Sequence, residues 1–102
     1  MTNNPQSIEE HWQTMVLILK KIAEQKNISQ YKLAEITGFE QSNINRVFSL
    51  KYCPNMRTFI SIARALECNL FIEIRDANSV NNNLFEQAMC ELGRRPEKLP
   101  KN

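Results

Sequence analysis

Glycine is scarce in this chain: two residues in 102, Gly38 and Gly93, alongside four prolines. So few breakers exclude a fold made mostly of turns, and helices are expected to dominate. The three cysteines, Cys53, Cys68 and Cys90, are odd in number and show no CxxC spacing. They fit neither a disulfide framework nor a zinc site, and read as reduced thiols of a cytoplasmic protein. Long hydrophobic runs are absent. The longest, "MVLIL" at residues 15–19, is far too short to cross a bilayer, and the polar opening "MTNNPQS" lacks the pattern of a signal peptide. No membrane association is expected. Histidine occurs once, as His11. With no Ser-His-Asp set, Walker loop or metal-spaced cluster, neither an enzyme nor a cofactor site is expected.

What is present is ordinary in amount and uneven in placement. Hydrophobic residues make up 42% and charged residues 24%, as in a soluble globular domain. A chain of this size holds one small, marginally stable core, which a partner or a dimer would help. The net charge is +2, but residues 26–64 hold six cations (Lys26, Lys32, Arg46, Lys51, Arg57, Arg64) against Glu35 and Glu40, a local net of +4. Both flanking segments are net −1. A basic patch confined to the middle third favours a polyanion partner, and nucleic acid is the common one.

Residues 1–6 read as a disordered lead-in. Ser7 opens "SIEE", a capping box with Glu10. Ile8, Trp12, Met15, Leu19 and Ile22 then recur at helical spacing, widened by Val16, Ile18 and Ala23, over a helix to about Lys26. Trp12 reads as a core or interface anchor. Ser29 caps a second helix, "QYKLAEIT", with Leu33 and Ile36 pointing one way; Gly38 stands where a helix ends in a left-handed residue. A third helix follows from about Glu40 or Gln41 to Ser49. Pro54 closes the loop after it, and Asn55 caps a fourth, Met56 to about Leu66, with Phe59, Ile62, Ala63 and Leu66 inward. "NLFIEIRD" changes to period two and reads as a strand, and "LFEQAMCELGRR" as a last short helix.

Two short helices joined by a glycine-containing turn form a helix-turn-helix. Its close crossing needs a small residue, Ala34; its turn needs a permissive one, Gly38; its second helix needs inward anchors, Ile44 and Val47. The outward positions are then Gln41, Ser42, Asn43, Asn45, Arg46 and Ser49. A solvent face is usually rich in Glu and Lys, so this one gives up helix propensity. Gln and Asn make paired hydrogen bonds to adenine, and Arg to guanine, in the major groove.

On these residues, "ISQYKLAEITGFEQSNINRV" resembles the helix-turn-helix of Cro- and phage-repressor-like regulators, the XRE family. The likeness extends through "PNMRTFISIARALECNL" and covers about residues 16–72. It implies a lambda-repressor-like, mainly α bundle of four to five helices that binds double-stranded DNA. Carried over by position, it implies that Gln30 grips phosphate and its neighbour. It also implies that Gln41, Ser42 and Arg46 face bases, with Asn43 and Asn45 flanking, and that Lys51 and the amides near Asn55 contact the DNA backbone. The family commonly follows this helix with Glu, any residue, then Gly. Here Phe48, Ser49 and Leu50 stand there, so the turn is expected to differ, with Phe48 an added core or groove residue.

One such module reads few base pairs, and proteins of this kind bind two-fold sites as dimers. The single strand supplies a device. Its unpaired edge would pair with its copy through Leu70, Phe71, Ile72, Glu73 and Ile74, with Leu70, Ile72 and Ile74 against the helices. The expected organisation is a DNA-binding domain over 7–76 with its dimerisation strand at 69–76, then a C-terminal helix and tail over 77–102. The expected function is a repressor-like transcriptional regulator acting as a homodimer. The alternatives are an antitoxin with a toxin partner, or an adaptor that uses the fold without reading DNA.

Overall fold

The helix starts are fixed by small polar side chains. A computed structural model of the protein describes residues 7–72 and 81–93. In it Ser7, Ser29 and Asn55 each accept a hydrogen bond from a first-turn amide, those of Glu10 (3.0 Å), Lys32 (3.0 Å) and Thr58 (2.8 Å). Each bond satisfies one of the amides that a helix leaves unpaired at its start. They open α1 (Ile8–Gln25), α2 (Gln30–Thr37) and α4 (Met56–Ala65); α3 (Gln41–Phe48) lies between the last two, and α5 (Asn81–Glu91) follows.

The chain divides into two units, 1–68 and 69–102. In the first, α2 packs on both α3 and α4, and α1 packs on the same two helices. The core is apolar throughout: Val16, Leu19 and Ala23 from α1, Leu33 from α2, Ile44, Val47 and Phe48 from α3, and Ile62, Ala63 and Leu66 at α4. The expected stripe of α1 is corrected. Its buried line runs Trp12–Val16–Leu19–Ala23, at spacings of four, three and four, while Ile8, Met15 and Ile18 are exposed. The neighbouring helices cover only one strip of α1, so its apolar residues beyond their reach face water. Ile36 is likewise exposed, whereas Leu33 is fully buried. Trp12 does pack on the core, and its indole N–H donates to Glu9 at 2.9 Å.

The helix ends use left-handed residues, mostly without glycine. After α1, Asn27 (φ 58°) donates to the Glu24 carbonyl and Ile28 to that of Ala23. After α4, Glu67 (φ 61°) donates to Arg64 and Cys68 to Ala63, the same reciprocal pattern. The two ends are tied: Lys26 Nζ donates to the Leu66 carbonyl at 2.7 Å and pairs with Glu67 at 3.5 Å. A cation against the last carbonyls of α4 favours that helix end.

No strand is present among the described residues. Leu70, Phe71 and Ile72 carry no regular structure and are 39%, 65% and 93% exposed. Glu73 and Ile74, the rest of the expected strand, lie outside the described residues. A strand whose partner is a second copy has no ladder within one chain, because both hydrogen-bonding edges must be present to form one.

Left-handed positions generate an opposed pair of expectations. Glu67→Gly removes a Cβ from a left-handed residue, which outweighs the loss of an exposed ion pair and the added freedom of the unfolded chain. It is expected to stabilise the domain by about 0.5–1 kcal/mol. At Gly38 (φ 81°) an added Cβ meets nothing within 4 Å, so any penalty is conformational. Gly38→Val is expected to lower the melting temperature by roughly 4–8 °C or more, since a β-branched residue resists positive φ. Thermal unfolding of both variants reads the two signs side by side.

Candidate nucleic-acid interface

The turn between α2 and α3 is braced before α3 begins. Gly38 donates its N–H to the Ala34 carbonyl at 2.9 Å. The Thr37 hydroxyl donates to the Leu33 carbonyl at 2.7 Å and accepts from the Phe39 amide at 3.2 Å. Phe39 packs on the core just past the turn, and Ala34 lies half-buried on α2 as a close crossing requires. Thr37 was not singled out in the sequence, although a hydroxyl one residue before a turn glycine is a natural brace.

Eight residues of α3 divide cleanly between two sides. Ile44, Val47 and Phe48 are buried. Gln41, Ser42, Asn43, Asn45 and Arg46 are exposed, as is Ser49 at the C-cap. The alternatives for Phe48 are resolved: it is a core residue, 4% exposed. The outward residues are not equally free. Asn45 Nδ2 donates to Gln30 Oε1 at 3.2 Å, bringing the start of α2 against the middle of α3. Ser49 Oγ donates to the Arg46 carbonyl at 2.6 Å and so serves the end of its own helix.

Leu50 occupies the place where the family resemblance would put glycine. It nevertheless adopts φ 65°, the conformation that glycine there would be suited to. The turn thus has a left-handed residue at this place although that residue is leucine. Its strain is offset by the packing of Leu50 on the core, and its carbonyl accepts from Gln13 Nε2 of α1 at 3.3 Å. Beyond it, Lys51 is exposed in the loop. The Asn55 side chain is committed to capping α4, so what it offers a partner is an ordered helix start.

Electrostatics sharpen the picture drawn from net charge. Of the six central cations, Lys26 is held at the end of α4 and Lys32 pairs with Glu35 at 3.4 Å. Arg46, Lys51, Arg57 and Arg64 are exposed and enter no ion pair among the described residues. Three of these four stand on α3, on the following loop or in the first turn of α4. One contact was not foreseen: the Arg46 guanidinium carbon lies 5.2 Å from the centroid of the Tyr52 ring. An exposed aromatic in a short loop next to a recognition-type helix was its only signal. Among the described residues no cluster suited to a metal ion forms, and no helix is long and apolar enough to cross a membrane.

A sequence model of the helix-turn-helix family of XRE type matches residues 19–72, just over half of the chain. The match contains α2, α3 and α4 whole and the last part of α1. No curated protein and no solved structure matches the chain significantly.

The burial of Phe48 separates anchoring from surface roles by experiment. Phe48→Ala is expected to cost about 3–5 kcal/mol, the loss for emptying an aromatic site in a packed core. Urea unfolding checks it; a variant as stable as the parent would return Phe48 to the surface.

Proposed function

We propose that this chain, which belongs to the XRE family of helix-turn-helix DNA-binding regulators, reads a specific duplex sequence with α3 and acts as a repressor-like homodimer. One observation carries the reading. The exposed side of α3 presents Gln41, Ser42, Asn43, Asn45 and Arg46, while Ile44, Val47 and Phe48 hold the helix to the core. Amide and guanidinium groups in that arrangement match the donor and acceptor patterns of base edges in the major groove, which admits a single helix. Arg46, Lys51 and Arg57 are not neutralised by ion pairs within the described residues, so they are available to phosphates. Gln30, placed by Asn45, keeps its own amide N–H group to donate to the backbone of the duplex. The chemistry and the absence of a membrane-crossing helix among the described residues are compatible with a cytoplasmic protein.

Selection of bound sites from a random duplex library tests binding, specificity and half-site spacing together. Arg46→Ala and Gln41→Ala are each expected to lose on the order of 1–3 kcal/mol of discrimination between sites. Lys51→Ala is expected to weaken all sites about equally, as a phosphate contact does. If Arg46→Ala keeps the preferred sequence and the affinity, the reading helix lies elsewhere.

Dimerisation is proposed through the segment 70–75. Its support is the alternation of Leu70, Ile72 and Ile74 with Phe71, Glu73 and Arg75, and the exposure of three successive apolar residues, Leu70, Phe71 and Ile72. Antiparallel pairing with a copy would cover part of that surface and satisfy the strand edge. Two α3 helices about 34 Å apart would then meet successive major grooves. Sedimentation at micromolar concentration is expected to show a dimer, and Ile72→Pro a monomer with far weaker operator binding. A clean wild-type monomer, with or without operator DNA, would rule out the paired strand.

A second reading has an observation of its own. Helix α5 exposes Leu84 and Phe85, and the turn after it Leu92, apolar residues that would suit a protein partner such as the toxin of a toxin–antitoxin pair. The adaptor reading, in which DNA is not bound at all, is disfavoured by the unneutralised cations. A mobility shift on random duplex at low salt separates it, because an adaptor gives none.

A further inference from the structure

We propose that Tyr52 is a positioning residue for Arg46: its ring holds the guanidinium where it can meet a base edge, and so contributes to sequence discrimination without touching a base. The proposal rests on the reading of α3 as the DNA-reading helix. It starts from two observations that support each other. The first is the stack itself, with the Arg46 guanidinium carbon 5.2 Å from the Tyr52 ring centroid, inside the range of a cation–π contact. The second is how Tyr52 comes to be there. Arg46 leaves α3 in its last turn, and Tyr52 is six residues further on, so the chain must double back beside the helix. It does so through Leu50 at φ 65°, a conformation that leucine disfavours. That conformation is held by Gln13 of α1 on the Leu50 carbonyl and by the packing of Leu50 on the core. What this braced turn delivers is the Tyr52 ring beside Arg46.

The chemistry fits the task. An arginine on an exposed helix samples many rotamers, and freezing them on binding opposes the complex. Stacking uses the flat face of the guanidinium and leaves its in-plane N–H groups free. Those are the groups that make a paired contact to guanine. The ring therefore restricts Arg46 without competing for its donors. The Ser49 hydroxyl, bonded to the Arg46 carbonyl at 2.6 Å, fixes the backbone from which the side chain departs.

The test compares wild type, Tyr52→Phe, Tyr52→Leu, Arg46→Ala and the double variant Tyr52→Leu/Arg46→Ala. Each is titrated with the preferred duplex, found by site selection, and with its single-base variants. Tyr52→Leu is expected to lose about two- to five-fold of discrimination, the size of an exposed cation–π contact. The loss should fall on the same base pair that Arg46→Ala affects, and Tyr52→Leu should add nothing when Arg46 is already alanine. Tyr52→Phe, which keeps the ring, should behave as wild type. Without DNA, the Arg46 Hδ and Hε resonances should lie upfield in wild type and Tyr52→Phe and lose that shift in Tyr52→Leu. Unchanged discrimination by Tyr52→Leu, an effect at another base pair, additivity with Arg46→Ala or tighter binding would each overturn the proposal. If Arg46→Ala abolishes a preference that Tyr52→Leu leaves whole, the proposal alone fails. If wild type prefers no sequence although the ring shift is present, the DNA reading of α3 fails and takes the proposal with it. Should Tyr52→Leu melt early, Tyr52→Gln at this exposed position serves the same comparison.

Discussion

Ile44, Val47 and Phe48 anchor a helix that has little intrinsic reason to form. Helix α3 is eight residues long, rich in Asn and Ser, and its N-cap Glu40 makes no side-chain capping bond. Isolated helices of that length are not stable in water, and these residues lower propensity further. Burial against a core shared with Leu33, Ile62 and Leu66 supplies what propensity does not. The consequence runs outward. Once three inward side chains fix the helix, the remaining positions are released from any duty to stabilise it and can be chosen for what they meet.

The same division of labour governs charge. Lys26 is consumed inside the fold, bonded to the Leu66 carbonyl and paired with Glu67, where it closes the end of α4 beside the end of α1. Lys32 is paired along α2. Of the six central cations, the four that enter no ion pair among the described residues include Arg46, Lys51 and Arg57, which run from α3 to the start of α4. Lys20 and Lys21 of α1 enter none either. A count of residues gives the net charge but cannot tell the structural cation from the available one. That difference decides whether a basic segment is a surface for phosphate or part of the scaffold.

The starts of α1, α2 and α4 and the end of α2 were legible because their causes are local, whereas α5 begins at Asn81, three residues before the expected Leu84. The caps Ser7, Ser29 and Asn55 and the turn at Gly38 act through groups within four residues, and all four stand as the sequence implies. The inward face of α3 was legible for the same reason, since Ile44 is the one apolar residue within its polar run. The stripe of α1 was less so. Its apolar residues cover more than one face, and the choice of Val16 over Met15 or Ile18 is made by the helices opposite. The left-handed Leu50 and Glu67 were not legible either, because neither residue favours that conformation and packing or capping imposes it. Tyr52 was missed for a related reason: its partner is six residues away, and only the Leu50 turn brings them together. The role proposed for the segment 70–75 would need a second chain, which no single chain can display.

The restraints on α3 are distributed along its length, and this bears on how the proposed reading surface would work. Asn45 is bonded to Gln30, and Arg46 is stacked on Tyr52 with its carbonyl held by Ser49. By contrast, the side chains of Gln41, Ser42 and Asn43 make no hydrogen bond among the described residues, and all three are exposed. The C-terminal half of the surface is thus set before any partner arrives, while the N-terminal half is left to adapt. A pre-set group loses little freedom on binding and discriminates sharply, because a wrong base leaves its donors unmatched. An adaptable amide can turn its acceptor or its donor outward and so tolerates more than one base. On that physical ground, discrimination at the position met by Arg46 should be steeper than at the positions met by Gln41 and Asn43, although the N-terminal end of such a helix lies nearest the bases.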